Sequence, residues 1–441
     1  MTSGRTFTTF PIDNIELCKR QLLSWANRSG NCCFLDNNGY DMPGHLFECI
    51  AGVGCLASLR AEVGNAFTAL HDFHALHRDW IFGHLGYDLG GELEAPGAAL
   101  PDPAGFPDLF FFVPRYVFLL AGNSLRIGTR GEGADVIWKE ISSAAPTVSV
   151  AAGRPFGVRS RFSRADYLEA VSRLQKHISR GDCYEITFCQ EFFVEDTSID
   201  PLPVYRRLAA LSPNPSSAYY TFDGFYLLCA SPERYLQHRQ GQLLSQPIKG
   251  TARRWPEDPV RDQEQKEALF TNAKERSENV MIVDLVRNDL SRVCAEGSVQ
   301  VDELWGVYAF PQVFQLISSV SGLLGPGHTW LDALKATFPM GSMTGAPKKR
   351  AMELIGRYER TKRGIYSGAV GYVDPEGNFD FNVVIRSILY NAPGHYLSFP
   401  AGSAITAASD PAKEYAECLL KAEAMKKALE VGMAPSAFED V

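Results

Sequence analysis

Strand-like and helix-like segments alternate without a fixed period along residues 156–435, and this order constrains the fold more than any other feature. The segment Ser163–Gly181 has a serine cap, apolar residues at helical spacing and a terminal glycine, which together predict a helix. The next segment, Cys183–Glu195, alternates between apolar and polar residues as a strand does. A mixed order without repeats favours an α+β fold over a doubly wound sheet.

Four further segments complete the predicted outline of this part of the chain. Arg261–Cys294 is expected to form one long helix, and Asp410–Glu430 a capped amphipathic helix. Gly224–Arg239 is expected to form paired strands around a polar turn, and Ala369–Tyr390 a hairpin around Pro375–Gly377. The candidate functional residues therefore fall on helices, strands and the turns between them.

One stretch is the best candidate for a linker. Ser142–Gly157 is rich in small residues and contains two prolines and two glycines. It divides the chain into an N-terminal domain of residues 1–155 and a catalytic domain of residues 156–436. The two are expected to share one intertwined core, which suits a chain of 441 residues.

Composition indicates a cytoplasmic protein with no nucleic-acid or membrane partner. The net charge of −8 offers no basic face for phosphates. The ten cysteines include no C-x-x-C pair, which indicates reduced thiols rather than a disulfide frame or a zinc site. The N-terminus has no apolar signal-peptide core. The most apolar stretch, Phe106–Ala121, is interrupted by Asp108, Pro114 and Arg115, so it predicts buried strands rather than a membrane span.

Two pairs of glutamates lie three residues apart on predicted helices: Glu275 with Glu278, and Glu414 with Glu417. Residues at this spacing share one helix face. If the two helices meet, four carboxylates face each other and require a cation, and an all-oxygen set suits Mg²⁺. From spacing alone, two solvated helix faces are the commoner explanation, with Glu417 and Lys421 as a simple i,i+4 pair.

Four other features suit a small anionic ligand. Pro339–Leu354 is a Gly- and Ser-rich turn that opens a helix, with Thr344 as the expected cap, and free amides at such a start attract anions. A small-residue turn at Gly402 would let backbone amides approach a ligand closely. Arg386, in an apolar strand, suits a bidentate carboxylate, and a buried Glu233 would act as a general acid. The alternatives are a capped helix, a tight turn, a structural ion pair and a solvated glutamate.

Taken in order, these segments resemble one family, the chorismate-utilising enzymes. Its members include component I of anthranilate synthase and of aminodeoxychorismate synthase, the isochorismate synthases and the salicylate synthases. The resemblance covers essentially all of residues 156–430 and is looser in the N-terminal part. The matching blocks are "GDCYEITFCQ" (181–190), "ASPERYL" (230–236), "PIKGT" (247–251), "SENVMIVDLVRNDLSRV" (277–293), "FPMGSMTGAPKKRAMELI" (338–355), "RGIYSGAVGYVD" (363–374), "DFNVVIRS" (380–387) and "AGSAITAASDPAKEYAECLLKA" (401–422).

The resemblance implies a fold like that of anthranilate synthase component I, with two β-sheets packed as a sandwich and helices on the outside. It implies Mg²⁺ ligands at Glu278 and Glu417, with Glu275 and Glu414 beside them. The implied substrate is chorismate, a small dianion, so a chain of net charge −8 needs a local positive site. The substrate contacts it implies are Gly250, Thr251, Thr344, Tyr366, Arg386, Gly402, Ser403 and Lys421.

The block that contains Lys249 separates two branches of the family. Anthranilate synthases resemble P-I-A-G-T there, whereas aminodeoxychorismate synthases resemble P-I-K-G-T, which this chain has. The resemblance implies that Lys249 attacks the diene carbon beside the ring carboxylate, that Glu233 protonates the departing hydroxyl, and that ammonia then displaces the lysine. The product would be 4-amino-4-deoxychorismate, the precursor of 4-aminobenzoate and folate. Burial, Mg²⁺ and Arg386 are expected to disfavour the charge of Lys249 and free its lone pair.

Ammonia is expected from a separate glutamine amidotransferase subunit, because no cysteine here lies in a Gly-x-Cys-x-Gly elbow. Two positions depart from the family pattern. Glu185 replaces a common glutamine, or the lysine that activates water in isochorismate and salicylate synthases, and it is a candidate for deprotonating ammonium. Gln315 replaces a common histidine and cannot shuttle a proton. The alternatives are anthranilate synthase component I and a non-catalytic binding module, which would have lost these ligands.

Overall fold

A computed structural model describes residues 4–40, 42–94, 99–131, 133–145, 157–311 and 313–430 of the protein. Most of the predicted linker and residues 431–436 of the predicted catalytic domain lie outside these ranges. The helices are α1 (Ile15–Ala26), α2 (Ala66–His77), α3 (Ala134–Ser143), α4 (Arg164–Ser179), α5 (Pro201–Leu211), α6 (Pro259–Thr271), α7 (Ala273–Ser291), α8 (Trp330–Thr337), α9 (Lys348–Tyr358) and α10 (Pro411–Leu429).

The strands fall into two groups on either side of the predicted linker. Those before it are β1 (Thr6–Pro11), β2 (Cys32–Asp36), β3 (Cys49–Val53), β4 (Ala57–Ala61), β5 (Ile81–Leu85), β6 (Leu109–Val113), β7 (Tyr116–Ala121) and β8 (Ser124–Thr129). Those after it are β9 (Arg159–Ser160), β10 (Glu185–Gln190), β11 (Phe192–Val194), β12 (Ser216–Phe222), β13 (Phe225–Ser231), β14 (Arg234–Arg239), β15 (Gln242–Gln246), β16 (Ile248–Arg253), β17 (Gln300–Ala309), β18 (Val313–Leu323), β19 (Gly345–Ala346), β20 (Ala369–Val373), β21 (Phe379–Val383), β22 (Ser387–Asn391), β23 (Tyr396–Ser398) and β24 (Ala401–Ile405).

Two large sheets and one small sheet form the β structure. The first large sheet has the strand order β1-β8-β7-β3-β2-β12-β13-β22-β23-β11-β9. The second has the order β16-β18-β15-β14-β21-β20-β5-β6-β4, with β17 paired to β18. The small sheet has the order β19-β10-β24. Both large sheets therefore draw strands from both sides of the predicted linker, through the antiparallel pairs β2–β12 and β5–β20. The domain division itself remains a sequence prediction.

The two faces of the first sheet pack into different cores. Phe34 of β2 lies in a core shared with Leu22 of α1 and with residues of α4, α5 and α10. Its neighbour Leu35 belongs to a second core, shared with Phe82 of β5 and Phe381 of β21 in the other large sheet. Alternate residues of a strand point to opposite faces, so the second core lies between the sheets and the first lies under helices. This sandwich with outer helices confirms the predicted α+β fold.

Several predicted elements form as expected. Ser163 caps α4 by accepting a hydrogen bond from Asp166 N, and Gly181 follows the helix at a φ of 87°. Asp410 caps α10 in the same way. The hairpin of β20 and β21 turns at the predicted place. None of the helices in the described ranges is both long and apolar enough to cross a membrane.

Three predicted elements differ in the structure. The long helix predicted over Arg261–Cys294 is broken at Asn272, whose extended backbone ends α6 and whose side chain caps α7. The strands predicted as a pair in Gly224–Arg239 lie in different large sheets, because the chain crosses between the sheets at Pro232 and Glu233. Arg386 lies at a second crossing, between β21 and β22, with a φ of 52°, and so is not inside a strand.

Candidate active site

All but one of the predicted site residues meet in one cavity with a volume of about 1060 Å³. Both crossings between the large sheets reach it, as do β16, β24, α7 and α10. A concave site of this size that gathers charged side chains from distant parts of the chain suits a small polar ligand. The predicted residues that line it are Glu233, Lys249, Gly250, Thr251, Glu275, Glu278, Tyr366, Arg386, Gly402, Ser403, Glu414, Glu417 and Lys421.

Thr344 is the predicted contact that the structure does not place on the cavity wall. Its side chain is fully buried, and its hydroxyl donates to the carbonyl oxygens of Met340 and Gly341 at 3.1 and 3.2 Å. Nor does it cap a helix, since α9 begins at Lys348 and its cap position is Pro347. Ser342 and Met343 of the same segment line the cavity instead. Substrate binding by Thr344 remains a prediction.

The four predicted carboxylates come from two helices and line the same cavity. Glu275 and Glu278 extend from α7, and Glu414 and Glu417 from α10. Lys274 Nζ lies 3.7 Å from Glu278 Oε1 and 3.9 Å from Glu414 Oε1, so one ammonium bridges the two helices. Burial raises the pKa of Glu278 to about 7 and also raises the pKa of Glu275. The structure thus favours a shared anionic site over two separate solvated helix faces.

These carboxylates fit the oxygen ligands that Mg²⁺ prefers. Oε1 of Glu278 is buried and accepts no hydrogen bond from the described residues. Across the described ranges, no three or more His, Cys, Asp or Glu side chains are arranged as a complete metal site. Mg²⁺ is commonly held by one or two carboxylates together with water and substrate oxygens, so an incomplete protein shell is compatible with it.

On α10, a lysine links the carboxylates to β24. Lys421 Nζ pairs with Glu417 Oε1 at 2.7 Å and donates a hydrogen bond to the carbonyl of Gly402 at 3.1 Å. Burial opposes the ionisation of Glu417, but the Lys421 ammonium outweighs it and lowers the pKa. Gly402 lies inside β24 and not in the predicted turn. A Cβ there would approach Phe188 O to 2.2 Å, so close strand packing requires the glycine.

Lys249 reaches the cavity from an irregular part of β16. The pairing of β16 with β18 shifts register between Ile248 and Thr251, and Gly250 within this bulge has a φ of 97°. Bulges of this kind redirect side chains next to functional sites. Lys249 lines the cavity as a result, and its side chain keeps 13% of its surface exposed.

The ammonium of Lys249 pairs with Glu185, whose side chain is fully buried. Lys249 Nζ lies 2.7 Å from Glu185 Oε1. Burial disfavours the charged lysine, but the attraction of Glu185, together with that of Glu278 and Glu233, outweighs burial and raises the pKa of Lys249. This direction is opposite to the expected one, because the sequence did not show that Glu185 and Lys249 are in contact. The contact with Glu185 therefore favours the ammonium form of Lys249.

Two further groups at the crossings between sheets face the same cavity. Glu233 is 5% exposed, and burial raises its pKa to about 7, so it retains a proton in a substantial fraction of molecules at neutral pH. Arg386 makes no ion pair with any carboxylate in the described ranges, and burial lowers its pKa. A guanidinium without a protein counter-ion is available for an anionic ligand.

Sequence reasoning missed two contacts of the site. Lys274 bridges the carboxylates, and its spacing of four residues from Glu278 on a helix is the signal that could have revealed it. The contact between Glu185 and Lys249 joins residues 64 positions apart in different sheets, and no local pattern announces it.

Comparison with known proteins identifies the class to which the fold and the site belong. The model of the chorismate binding enzyme family matches residues 38–427, and the chain therefore belongs to this family. The structure of anthranilate synthase component I from Streptococcus pneumoniae is similar, with a TM-score of 0.73, 25% identity, and coverage of 88% of this chain and 93% of that one. The menaquinone-specific isochorismate synthase of Escherichia coli shares the fold at 19% identity and a TM-score of 0.73, with 97% and 95% covered.

Curated relatives carry two different activities in their names. An aminodeoxychorismate synthase of Streptomyces pristinaespiralis is 39% identical over 81% of this chain and 52% of its own length. Component 1 of the anthranilate synthase of Thermus thermophilus is 36% identical, with 80% and 78% covered. Component 1 of the aminodeoxychorismate synthase of Klebsiella aerogenes is 35% identical, with 79% and 76% covered. The chain spans about half the length of the first of these relatives, so the similarity establishes a chorismate-binding enzyme without choosing between the two reactions.

Proposed function

We propose that this enzyme converts chorismate and ammonia to 4-amino-4-deoxychorismate. The observation that carries the proposal is the position of Lys249, which a bulge in β16 places on the wall of the cavity near Glu233. A reaction that only bound the substrate would not need a lysine there, because Arg386 and Lys421 already supply positive charge for carboxylates. The lysine instead suits a nucleophile.

The proposed reaction proceeds through a lysine-bound intermediate. Lys249 Nζ attacks the ring carbon beside the carboxylate, the diene shifts, and the hydroxyl on the far side of the ring leaves. Hydroxide is a poor leaving group, and the proton on Glu233 converts it to water. Ammonia then attacks the carbon that lost the hydroxyl, the double bonds shift back, and Lys249 leaves as the free amine.

Binding of the substrate depends on charges of opposite sign in one cavity. Arg386 and Lys421 would bind the carboxylates of chorismate, with Tyr366 and the backbone near Thr251 and Ser403 completing the contacts. Glu278 and Glu417 would hold Mg²⁺, with Glu275 and Glu414 beside them. When bound, this ion would act as a Lewis acid that polarises the ring carboxylate and makes the diene easier to attack.

We also propose that a separate glutamine amidotransferase subunit supplies the ammonia. No cysteine of the chain lies in the Gly-x-Cys-x-Gly elbow that such a domain uses. The product would then enter the biosynthesis of 4-aminobenzoate and folate, in the cytoplasm. Both the partner and the pathway depend on the proposed reaction.

A product assay tests the proposal. The purified chain is incubated with chorismate, Mg²⁺ and an ammonium salt, and the product is identified by mass and chromatography. Formation of 4-amino-4-deoxychorismate supports the proposal. Anthranilate would favour the other relatives, and isochorismate, salicylate or the absence of turnover would overturn it. A parallel reaction with glutamine in place of ammonium should give no product unless an amidotransferase is added.

A further inference from the structure

Glu185 is held in an unusual environment for a carboxylate. It begins β10, and its backbone pairs with Ala346 of β19 in the small sheet. Tyr184 before it is 71% exposed, whereas the side chain of Glu185 is fully buried. Neither carboxylate oxygen has a hydrogen-bond partner in the described residues, and Oε1 has only the ion-pair contact with Lys249. Buried carboxylates normally accept several hydrogen bonds, so one that has the Lys249 ammonium at 2.7 Å and little else is poorly stabilised as an anion.

Lys249 cannot act as a nucleophile while it is an ammonium. An ammonium has no lone pair, and Glu185 stabilises that ammonium. The proton must therefore leave Nζ before or during the attack. Among the described residues, the acceptor in ion-pair contact with Nζ is the Oε1 atom of Glu185, which lies buried behind the cavity wall. Glu278 and Glu233 also attract the charge of Lys249, but neither forms an ion pair with it.

We propose that Glu185 is the catalytic base that takes the proton from Lys249 as the lysine attacks, an inference that rests on the proposed function. Glu185 contacts the reacting nitrogen, and its backbone is paired within the three-stranded sheet. Transfer of the proton converts a buried ion pair into a neutral amine and a neutral acid. Such a neutral pair is compatible with the same low-polarity surroundings that leave Oε2 without a partner.

The protons balance over the cycle. Glu185 takes one proton from Nζ, the lone pair of Nζ forms the bond to the ring, and Glu233 gives its proton to the departing hydroxyl, which leaves as water. Ammonia adds at the vacated carbon, and its ammonium form returns a proton to Glu233. The bond between Nζ and the ring breaks, and the amine of Lys249 recovers its proton from Glu185. The sum is chorismate plus ammonia giving the amino product and water.

The two carboxyl groups therefore have opposite duties. Glu233 begins the cycle protonated, because burial raises its pKa to about 7 and no side chain among the described residues forms an ion pair with it. Glu185 begins in contact with the ammonium of Lys249, whose Nζ lies 2.7 Å from its Oε1 atom. Environments that separate the protonation of two neighbouring acids in this way commonly mark an acid and a base.

The test compares pH profiles of the full chain and its Glu185→Gln variant. The value of kcat/KM for chorismate is measured from about pH 6 to about pH 9 with Mg²⁺ present and free ammonia held constant. In the wild type the proton moves only between Lys249 and Glu185. The profile of kcat/KM should therefore show only the fall at high pH that is due to ionisation of Glu233. In Glu185→Gln the proton must pass to solvent, which should add a rising limb of about tenfold per pH unit and lower kcat/KM at pH 6 about 100-fold.

Two further variants make the test decisive. Glu185→Asp keeps a carboxylate and should restore the profile of the wild type with a rate lowered about tenfold. Glu257→Gln, which removes another cavity carboxylate, should change neither the profile nor the rate by more than about twofold. If Glu185→Gln does not fold, Glu185→Asp decides, because an unchanged rate would then count against the proposal.

The outcomes separate this inference from the proposed function. If Glu185→Gln keeps the rate and the profile of the wild type while the wild type makes 4-amino-4-deoxychorismate, Glu185 is not the base and the proposed reaction stands. If the wild type makes anthranilate or isochorismate, the proposed function fails, whatever the variant does. A drop in rate with no rising limb and a lowered melting temperature would show a structural role and overturn the inference.

Discussion

Two lysines of this enzyme lie against buried carboxylates, and their surroundings differ in an instructive way. Lys348, at the start of α9, pairs with Asp289 of α7 at 2.6 Å and donates a hydrogen bond to the carbonyl of Thr337 at 3.0 Å. Both side chains of that pair are 3% exposed. Lys249 pairs with Glu185 at a similar distance, but it lines the cavity.

A lysine has three N–H donors, and the protein occupies two of those on Lys348. Lys249 has one carboxylate partner in the described residues and an open side toward the cavity. We therefore infer that Lys348 holds α7 and α9 together, whereas Lys249 is available to a ligand. Both lysines form an ion pair, so the ion pair does not distinguish the structural role from the ligand-binding role. The two roles differ in whether the other N–H donors of the lysine are occupied by the protein.

The same contrast separates two arginines. Arg363 donates to both oxygens of Glu359 and to the carbonyl oxygens of Met343 and Thr187, and it is 6% exposed. Arg386 forms no ion pair in the described ranges and lines the cavity. Arg363 is part of the framework beneath the cavity, and Arg386 is a candidate for binding an anionic ligand. Each of the four residues can be tested against this division.

The largest effect is expected from Lys249→Ala. Removal of the proposed nucleophile should lower the formation of amino product by at least about 1000-fold and abolish any covalent adduct of chorismate with the chain. Intact-protein mass spectrometry and the product assay measure the two effects. Lys427→Ala, which removes an exposed lysine from the outer part of the same cavity, should keep at least about half of the activity. An adduct on Lys249→Ala would place the nucleophile elsewhere.

For the free energy of unfolding, substitution of Lys348 should have a larger effect than substitution of Lys249. Lys348→Met leaves Asp289 buried without its ammonium and should lower the free energy of unfolding by about 3 kcal/mol. Lys249→Met should cost less than half of that, because Lys249 lines the cavity and water can reach the position that its ammonium leaves. Urea denaturation of both variants at one pH gives the comparison. Equal losses would mean that Lys249 also belongs to the framework.

Local patterns predicted many of the elements that form the site. The caps of α4 and α10, the hairpin of β20 and β21, and the spacing of the glutamate pairs all depend on residues close in sequence. The same reasoning joined α6 and α7, because their apolar pattern continues through Asn272. Only the tertiary structure shows that Asn272 ends one helix and caps the next.

The charge states of the site depend on contacts between distant residues. Lys249 and Glu185 each occupy a quoted motif, but the motifs do not show that the two side chains touch across 2.7 Å. The expected lowering of the pKa of Lys249 took account of burial, Mg²⁺ and Arg386 but not of Glu185, whose attraction raises it. Likewise, Thr344 lies in a helix-start motif, yet a turn at Gly341–Met343 buries its hydroxyl against backbone carbonyls. Sequence indicated which residues matter better than it indicated what they contact.

The raised pKa of Glu233 predicts how the activity of the enzyme depends on pH. Its pKa is raised to about 7 by burial, so it is protonated at pH 6 and mostly ionised at pH 8. A general acid must be protonated, and kcat/KM for chorismate should fall about tenfold per pH unit above pH 7. Glu233→Gln should be slow at every pH and should lose this limb. If the limb persists in Glu233→Gln, another group donates the proton.

The smallest expected effect on activity comes from substitution of Arg386, with Arg363 as the comparison. Arg386→Lys keeps the charge but loses the planar fork, so KM for chorismate should rise about tenfold with little change in melting temperature. Arg363→Lys should instead lower the melting temperature, because several buried acceptors lose their donors, including both oxygens of Glu359. Thermal unfolding and steady-state kinetics of both variants are compared. Suppose instead that Arg386→Lys lowers the melting temperature and leaves KM for chorismate unchanged. Arg386 then stabilises the crossing between the sheets, and the substrate carboxylate is bound mainly by Lys421. The Nζ atom of Lys421 is held by Glu417 and the Gly402 carbonyl.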